Sequence, residues 1–298
     1  MPAQDGRDTF DSILNFRDVG ASINHFSNTQ LLRSGLFYRS ARPDSATSSD
    51  QQRLKDDFKI RTIIDLRTPT EHIEQARKHA NTHPSSTPAV AHKDPMAPFR
   101  ISDIKYESIN LNGSGYSNAL IKQLSYFSAA KLIFYYTFGW RKDAIAILAS
   151  NVMASRGLDG LAIDSLVHSK REIDAIFKVL CKADSYPLLV HCTQGKDRTG
   201  LTVVLVCMLC DVPLDAIERD YRLSESELMA ERVEKLEEVR SIGLPDTFAD
   251  CPEDWTRVVY KYVNEDLGGV EKYLQDCGVS SEQQEALKKL LKVDYAIT

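Results

Sequence analysis

The strongest chemical signal in the sequence is a cysteine and an arginine separated by five residues, Cys192 and Arg198. They lie in the polar string HCTQGKDRTG, residues 191–200, which contains two glycines. A thiolate is a strong nucleophile, and a guanidinium binds two phosphate oxygens at once. A thiolate beneath a bound phosphate suits in-line phosphoryl transfer to sulfur, followed by hydrolysis of the phosphocysteine. The spacing therefore predicts a phosphate site with Cys192 as nucleophile and Arg198 as phosphate clamp.

The segments on either side of this string position the two side chains. Residues 188–190 are a short apolar run typical of a buried strand, and residues 201–210 are a longer run typical of a buried helix. A strand, a tight loop and a helix start form an anion site, because loop N–H groups point inward and the helix N-terminus is positive. These features also favour the thiolate form of Cys192. We expect phosphate to bind at Thr193, Gln194, Gly195, Lys196, Asp197 and Arg198.

Two further residues of the string are expected to support the reaction. The hydroxyl of Thr199 is expected to hydrogen-bond the sulfur and to help it leave when the phosphocysteine is hydrolysed. His191 directly precedes the nucleophile and is expected to support it. The alternative interpretation is a buried cysteine beside a structural arginine.

The complete string resembles the signature loop of cysteine-based phosphatases, and its form is most similar to the atypical tyrosine and lipid phosphatases of bacteria and fungi. Three further segments resemble this family: Asn-Phe-Arg-Asp at 15–18, Tyr-Arg-Ser at 38–40 and Ile-Asp-Leu-Arg at 64–67. The resemblance runs from roughly residue 13 to 292 and is weakest over 78–160. It implies a phosphate-monoester hydrolase that needs no metal and no cofactor.

The resemblance implies a protein-tyrosine-phosphatase-like α/β fold, with a central mostly parallel sheet flanked by helices and a helical C-terminus. In this interpretation residues 1–298 form a single phosphatase domain, and residues 112–160 are a helical insertion. Two helices are predicted within the insertion, over 117–138 and 141–156, and the first is rich in Tyr and Phe. These aromatic side chains predict either a lid over the site or ordinary core packing.

A second candidate acidic group lies at the end of another predicted strand. Asp65 ends a β-branched run, and Thr68 with Glu71 forms the capping box of the following helix. Ligands bind at the carboxyl ends of strands in open α/β sheets, so Asp65 either orients Arg198, acts near the substrate or bonds local backbone. Arg39 is expected in an ion pair, either near the site or purely structural. The predicted strands are 36–40, 60–66, 105–111 and 188–190.

The leaving oxygen needs a proton donor, and its identity is open from the sequence alone. Many cysteine phosphatases carry an aspartic acid in a Trp-Pro-Asp context, which this chain lacks. Asp197, within the loop itself, is the first candidate because members of the resembling family with Lys-Asp-Arg in the loop share it. The alternatives are Asp65, Asp94 and Asp159.

The substrate prediction depends on Lys196, which adds a point charge to the loop or only tunes the local potential. Protein phosphotyrosine is the first expectation, and dual specificity or phosphoinositides come next. Loops of this kind in the resembling families also act on inositol pyrophosphates. A phosphate-binding pseudophosphatase and a rhodanese-like sulfurtransferase are the competing classes, although neither explains an intact Cys192, Arg198 and Thr199 so well. The oligomeric state is open.

Composition restricts the partners and the setting. The chain of 298 residues has a net charge of −5 and a pI near 5.8, which argues against a nucleic-acid binder. Its six cysteines show no spacing typical of secreted proteins, and its first residues are polar, so we expect a cytoplasmic protein. No apolar run approaches the length of a membrane span.

Two groups of residues resemble metal ligands only superficially. Cys207 and Cys210 are two residues apart, but they lie in an apolar helix without a second pair, so core packing is predicted. His79, His83 and His92 fit no ligand template. The histidines belong to a segment, 78–104, that is rich in Pro and Ser and predicted to be a long irregular loop, either a recognition rim or an inert insertion.

Overall fold

A computed structural model describes residues 5–82 and 96–293, with the side chains of 79–82 excepted. Five strands form one sheet in the order β1-β2-β5-β3-β4. The edge strand β1 runs antiparallel to β2, and all other neighbours are parallel. The strands are β1 (Arg17–Asp18), β2 (Phe37–Ser40), β3 (Thr62–Asp65), β4 (Lys105–Ser108) and β5 (Leu188–His191). The predicted α/β class with a mostly parallel sheet is therefore confirmed.

Helices cover both faces of the sheet and make up most of the rest of the described chain. The first three are α1 (Val19–Ser27), α2 (Ser48–Asp56) and α3 (Pro69–Thr82). The region between β4 and β5 contains α4 (Ser114–Ile121), α5 (Tyr126–Thr137), α6 (Arg141–Leu148), α7 (Ala154–His168) and α8 (Lys170–Leu180). The C-terminal part contains α9 (Asp197–Leu209), α10 (Leu214–Glu227), α11 (Arg232–Ser241), α12 (Trp255–Glu265), α13 (Val270–Cys277) and α14 (Ser281–Leu291).

The central strand β5 is buried on both of its faces. Leu188 and Val190 belong to the larger hydrophobic core, together with α8, α9, α12 and α13. Leu189 points to the opposite face and belongs to a smaller core that includes Leu54 of α2. Side chains alternate between the faces of a strand, so a continuous apolar run is what a central parallel strand requires.

The strand register brings three carboxyl ends together at one edge of the sheet. His191 lies opposite Ser40 on one side and opposite Asp65 on the other. The segments that follow β2, β3 and β5 therefore leave the sheet side by side. This convergence places the string after β5 next to the helix start after β3.

Some sequence predictions of the secondary structure were wrong in extent. The prediction of an irregular segment from residue 78 was wrong over its first residues, because α3 continues to Thr82. Residues 83–95, including His83, His92 and Asp94, lie outside the described part of the chain, as does the side chain of His79. Farther along the chain, a 3₁₀ turn at Met229–Glu231 separates α10 from α11.

The start of the helical insertion is closely packed. A Cβ atom on Gly113 would lie 2.1 Å from Oε1 of Glu172, and one on Gly115 would lie 2.3 Å from the carbonyl oxygen of His168. These glycines let α4 approach the junction of α7 and α8. The predicted helix over 117–138 is split between α4 and α5.

Candidate active site

Cys192 occupies the first position after β5, and only 3 % of its surface is exposed. Helix α9 begins five residues later at Asp197, so the intervening turn is short. The predicted order of strand, tight loop and buried helix is confirmed in position.

Three consecutive loop carbonyls, those of residues 193–195, are held from outside the loop. The backbone N–H of Arg42 donates to the first at 3.1 Å, and the side-chain amide of Asn15 donates to the second at 2.9 Å. The guanidinium of Arg39 donates to the third at 2.8 Å. Because these carbonyls are bound on the outer side, the loop N–H groups are left for the inner side, as an anion site requires.

Gly195 allows the loop to pass very close to the end of β2. Its φ is +67°, and a Cβ atom there would lie 2.0 Å from the carbonyl oxygen of Ser40. No side chain fits at that distance, and the backbone conformation itself favours glycine. The loop shape therefore depends on this one residue having no side chain.

A buried charge network lies beneath the loop. Asp220 of α10 accepts from Nε of Arg17 at 2.8 Å and from Nη1 of Arg39 at 2.7 Å. All three side chains are at most 1 % exposed. Burial alone would raise the pKa of Asp220, but the two guanidinium groups lower it to about 2. Arg39 therefore lies in a structural ion pair and also contacts the loop, so both alternatives for this residue apply.

The guanidinium of Arg198 is gripped by the carboxylate of Glu71. Nη1 donates to Oε2 at 2.7 Å, and Nη2 donates to Oε1 at 2.6 Å. The hydroxyl of Thr193 also donates to Oε1. Burial would raise the pKa of Glu71, but Arg198 outweighs it and holds this pKa far below its usual range. Glu71 is thus ionised and fixes the arginine in one orientation.

Sequence reasoning identified the local role of Glu71 and missed its role in the site. The expected capping box is present, because Glu71 N–H bonds the Thr68 hydroxyl at 3.2 Å and Thr68 N–H bonds the Glu71 carboxylate at 2.9 Å. One signal for the second role was available: Glu71 lies in the first turn of the helix that follows β3, and β3 ends beside β5. The sequence left the role of orienting Arg198 as one of three alternatives for its neighbour Asp65.

For Asp65 the local alternative is the one observed, because its carboxylate accepts from the backbone N–H of Arg67 at 3.0 Å. It binds Nε and Nη2 of Arg67 at 2.9 and 2.7 Å, and Nε2 of His72 lies 3.0 Å away. Burial would raise the pKa of Asp65, but His191, His72 and Arg67 hold it well below its usual value. A permanently ionised carboxylate cannot donate a proton to a leaving group near neutral pH. Asp65 therefore stabilises the edge of β3 and is a poor general acid.

His191 is completely buried and braces the start of the loop. Its Nδ1 lies 3.0 Å from the carbonyl oxygen of Cys192, and its Nε2 lies 3.8 Å from the carboxylate of Asp65. Burial lowers the pKa of this imidazole, although Asp65 partly opposes the shift. The ring is therefore neutral at physiological pH and supports the cysteine through its backbone.

Asp197 stands at the first position of α9 with its side chain 42 % exposed. Its Oδ1 is buried and has no hydrogen-bond partner among residues 5–82 and 96–293. Asp159 of α7 also has an unpartnered buried oxygen within these residues, and burial raises its pKa. Both carboxyl groups thus remain candidates for the proton donor, while Asp94 lies outside the described residues.

The side chain of Lys196 is completely buried, which the sequence did not indicate. Its ammonium donates to the carbonyl oxygens of Asp250 at 2.7 Å and Phe248 at 3.4 Å, and it lies 3.8 Å from the Asp197 carboxylate. Such a cation anchors the segment before α12 to the loop. Phosphate binding by this residue stays a prediction that the ammonium contacts do not support.

Thr199 and the cysteine pair of α9 lie in the core below the loop. The Thr199 hydroxyl is fully buried and has no hydrogen-bond partner within the described part of the chain, so its proton is available to the sulfur. Cys207 and Cys210 are buried in the main core, which confirms the prediction that they pack there. Burial raises the pKa of both thiols, to about 12 for Cys210.

Comparisons with known proteins relate this chain to phosphatases. A family model described as tyrosine phosphatase family matches residues 9–293. A tyrosine-protein phosphatase from Nostoc commune is 28% identical over 132 residues, which cover 41% of this chain and 45% of that relative. The triple specificity protein phosphatase PtpB of Mycobacterium tuberculosis is 28% identical over 120 residues, or 35% of this chain and 44% of that relative.

The matched region spans a little under half the length of each of these two relatives. The family model, in contrast, covers nearly the whole chain, from before the Asn-Phe-Arg-Asp segment to the end of α14. It also includes the strands, the loop after β5 and the helical insertion. The chain therefore belongs to the tyrosine phosphatase family.

Proposed function

We propose that the protein hydrolyses phosphate monoesters by way of a phosphocysteine at Cys192. The thiolate attacks phosphorus in line with the leaving oxygen, so an S–P bond forms while the P–O bond to the leaving group breaks. Asp197 donates a proton to that oxygen. Water then attacks phosphorus, Asp197 takes its proton, and inorganic phosphate departs as the thiolate is regenerated. Thr199 is assigned a hydrogen bond to the departing sulfur.

One observation carries this proposal: the outward binding of the three carbonyls at residues 193–195. Asn15, Arg39 and Arg42 bind them from three separate segments of the chain. Peptide groups place their N–H opposite their C=O, so the corresponding amides face the space above Cys192. Amides fixed before substrate arrives stabilise the charge on the equatorial phosphoryl oxygens without further reorganisation.

The contacts of Arg198 leave one edge of its guanidinium available for a phosphate. Nη1 and Nη2 each donate once to Glu71, and Nη1 also lies 3.4 Å from the carbonyl oxygen of Leu66. A guanidinium has five N–H donors. The two that these bonds leave are Nε–H and the second hydrogen of Nη2, which lie side by side. That pair fits two oxygens of one phosphoryl group.

Protein phosphotyrosine is the proposed first substrate class, with dual specificity next. The names of the two relatives, a tyrosine-protein phosphatase and a triple specificity protein phosphatase, support this order. Phosphoinositides and inositol pyrophosphates are the alternatives, since a further cation at the loop surface would favour them. The ammonium of Lys196, however, donates to the carbonyl oxygen of Asp250. The six cysteines are all free thiols, in keeping with a reducing cytoplasmic setting.

The helical insertion is proposed to border the substrate entrance. Nη1 of Arg141, at the start of α6, lies 3.3 Å from the hydroxyl of Thr70, which is next to Glu71. Tyr116 of α4 is close enough to Arg198 that the guanidinium opposes the upward shift that burial imposes on the tyrosine pKa. These two observations support a position of α4 and of the start of α6 near Arg198, as a rim or lid would need.

Phosphate release from a substrate panel tests the proposal. The panel contains phosphotyrosine and phosphothreonine peptides, a phosphoinositide and an inositol pyrophosphate. We expect release from phosphotyrosine peptide to be fastest and to vanish with Cys192→Ser. Cys251→Ser, at another buried cysteine near the loop, should retain most activity. Release that Cys192→Ser leaves unchanged would refute the cysteine mechanism, and no release from any substrate would refute the proposed activity.

A further inference from the structure

Helix α5 and the turn that follows it expose an unusual set of large apolar side chains. Tyr126 is 99 % exposed, and Trp140, at the end of the turn, is 51 % exposed. Exposed aromatic residues scattered singly need no explanation, but a contiguous group marks an interaction site. The residues of this aromatic face are Tyr126, Phe127, Ile133, Phe134, Tyr136, Phe138 and Trp140. The alternative that the aromatic stripe packs in the core was wrong for all of its members except the half-buried Tyr135.

The fold of the helix pair does not require the aromatic face. Leu132 is the one fully buried residue of α5, and it packs against Ala144 and Ile147 of α6. This narrow seam orders the pair. The rings on the other side instead contact one another, with Phe134 and Phe138 at 4.6 Å and Phe134 and Trp140 at 6.0 Å between centroids. Within residues 5–82 and 96–293, the packing of the helix pair therefore does not account for their exposure.

The aromatic face has an excess of positive charge, although Asp143 directly follows the last of its cations. Residues 114–142 contain four basic residues and no aspartate or glutamate, whereas the whole chain carries a net charge of −5. Two of the cations lie beside exposed or half-exposed rings: Lys131 is 5.4 Å from the Tyr135 centroid, and Arg141 is 5.6 Å from that of Tyr136. The four basic residues are Lys122, Lys131, Arg141 and Lys142.

We propose that the aromatic face docks on the surface of a lipid bilayer that contains anionic phospholipids. Trp and Tyr favour the level of the lipid headgroups, and Phe favours the acyl boundary just below. Lysine and arginine next to them gain free energy from the negative surface potential. No helix within the described residues is long and apolar enough to cross a membrane. The docking is therefore peripheral, with α5 lying on the surface.

A protein partner fits this composition less well. The buried centres of protein interfaces are enriched in aromatic residues and arginine, but they are depleted in lysine. Three of the four cations here are lysines, and Lys122, Lys131 and Lys142 are all exposed. An ammonium on a long apolar stem can lie at a headgroup while its neighbours enter the apolar layer. The mixture of aromatic rings and lysine thus favours a lipid surface.

Docking through this face would also hold the candidate active site near the bilayer. The contact between Arg141 and Thr70 joins the start of α6 to the start of α3. The first turn of α3 also contains Glu71, which binds the guanidinium of Arg198. The docking itself does not rest on the proposed catalysis. Vesicle binding by Cys192→Ser should therefore equal that of the wild type.

The chain contains a natural reporter of this docking. It has two tryptophans, of which Trp255 is 1 % exposed and stacked on Tyr221. Trp140 therefore dominates any response of tryptophan fluorescence to vesicles. We expect a blue shift and quenching by brominated lipids when vesicles of phosphatidylcholine and phosphatidylserine are added to the full chain. Vesicles of phosphatidylcholine alone should give a much smaller response. High salt should weaken the response to the vesicles that contain phosphatidylserine.

Variants separate the apolar and the electrostatic parts of the interaction. Phe127→Ser should weaken vesicle binding in flotation by about tenfold, because one exposed ring no longer leaves water. Lys142→Glu should weaken it by about tenfold in low salt, because a favourable charge becomes unfavourable. Matched controls are Val233→Ser, at a 71 % exposed apolar residue of α11, and Lys289→Glu, at an exposed lysine of α14. Both controls should bind as the wild type does.

Trp140→Phe checks the reporter, since it should abolish the fluorescence shift while flotation persists. Failure of the wild type to float with anionic vesicles would overturn the proposal. It would also be overturned if the controls lost binding as much as Phe127→Ser and Lys142→Glu. Dimerisation that Phe127→Ser abolishes, without any vesicle binding, would assign the face to a second copy of the chain. Hydrolysis of a soluble phosphotyrosine peptide, measured in parallel, tells failure of docking apart from failure of the proposed activity.

Discussion

Glu71 and Arg198 form two parallel hydrogen bonds, of 2.7 and 2.6 Å, across 127 residues of sequence. The pair joins the first turn of α3 to the first turn of α9. The same carboxylate accepts hydrogen bonds from Thr68 and Thr193, so it is fixed from three directions. The orientation of the phosphate clamp is therefore determined by a residue outside the loop that carries it.

Replacement of Glu71 tests this relationship. Glu71→Gln keeps the shape but removes the charge and one acceptor, so Arg198 becomes free to turn away. We expect kcat/KM to fall by about 10- to 100-fold, the cost of weakening charge-assisted hydrogen bonds. Inhibition by vanadate should weaken in parallel. Glu74→Gln, at an exposed residue one turn along α3, is the control and should change neither quantity. Equal effects of the two changes would contradict the assigned role.

Exchange of the two candidate acids identifies the proton donor. Asp197→Asn should lower kcat by about 10²-fold or more on an alkyl phosphate, whose alkoxide must be protonated. The effect on nitrophenyl phosphate should be much smaller, because nitrophenolate leaves without a proton. Asp159→Asn should have little effect on either substrate. Steady-state kinetics of both variants with both substrates makes the comparison. A selective loss of alkyl phosphate hydrolysis in Asp159→Asn, but not in Asp197→Asn, would assign the role to Asp159.

The buried network below the loop predicts how stability depends on pH. The pKa of Asp220 is about 2 in the folded protein against 3.8 for an ordinary aspartate, so its ionised form stabilises the fold. That contribution, about 2 kcal/mol, is complete above about pH 4 and is lost as pH falls towards 2. Urea unfolding at several pH values should show this loss. In Asp220→Asn, the free energy of unfolding should fall less steeply with pH over the same range.

Asp276→Asn, at an exposed position of α13, is the control for the pH dependence. It should keep the wild-type slope. At pH 7, Asp220→Asn should also be destabilised by about 3–5 kcal/mol, because Arg17 and Arg39 would be left buried beside a neutral partner. A slope in Asp220→Asn equal to that of the wild type would show that another group controls acid stability.

Alanine at Gly195 should disable the loop. Its Cβ would meet the Ser40 carbonyl at 2.0 Å, so the loop must move, and a shift of about 1 Å at a catalytic site costs on the order of 10²-fold in rate. Gly139→Ala is a matched control, because Gly139 has a φ of +82° but open space around it. Both changes strain the backbone, and only Gly195→Ala should lose activity. Phosphatase assays of the two variants test the point.

Removal of the buried cation distinguishes two roles for Lys196. Lys196→Met leaves the Asp250 carbonyl without its donor, so the free energy of unfolding should fall by about 1–3 kcal/mol. The ratio of activities on a phosphoinositide and on nitrophenyl phosphate should stay the same. Lys289→Met, at an exposed lysine, should change neither. A selective loss of phosphoinositide activity would restore Lys196 to the substrate site.

Local sequence patterns predicted the centre of this molecule well. The strand before Cys192 and the buried helix after it are consecutive in sequence, and their apolar runs specify burial directly. The capping box at Thr68 and Glu71 is equally local, since both partners lie within one helical turn. The positions of Cys192 and Arg198 follow from these elements and from the spacing between them.

The rest depends on contacts between distant segments. Glu71 binds Arg198, and Asn15 binds the loop, only because the strand order brings these segments together. Local sequence patterns do not predict that order. The burial of Lys196 depends on the carbonyl of Asp250, 54 residues away. Periodicity likewise shows that aromatic residues share a face of α5 but not what covers it. Single-sequence reasoning therefore placed the reacting groups and missed the residues that hold them.

The central claim is that phosphate passes through a covalent bond to Cys192. Its most direct test is mass spectrometry of the enzyme after acid quenching during turnover of nitrophenyl phosphate. We predict one added phosphoryl group on the peptide that contains Cys192, absent from Cys192→Ser. The adduct should accumulate further in Asp197→Asn, where activation of the hydrolytic water is slowed. Rapid turnover with an unmodified Cys192 peptide, or a phosphoryl group on another residue, would contradict the account.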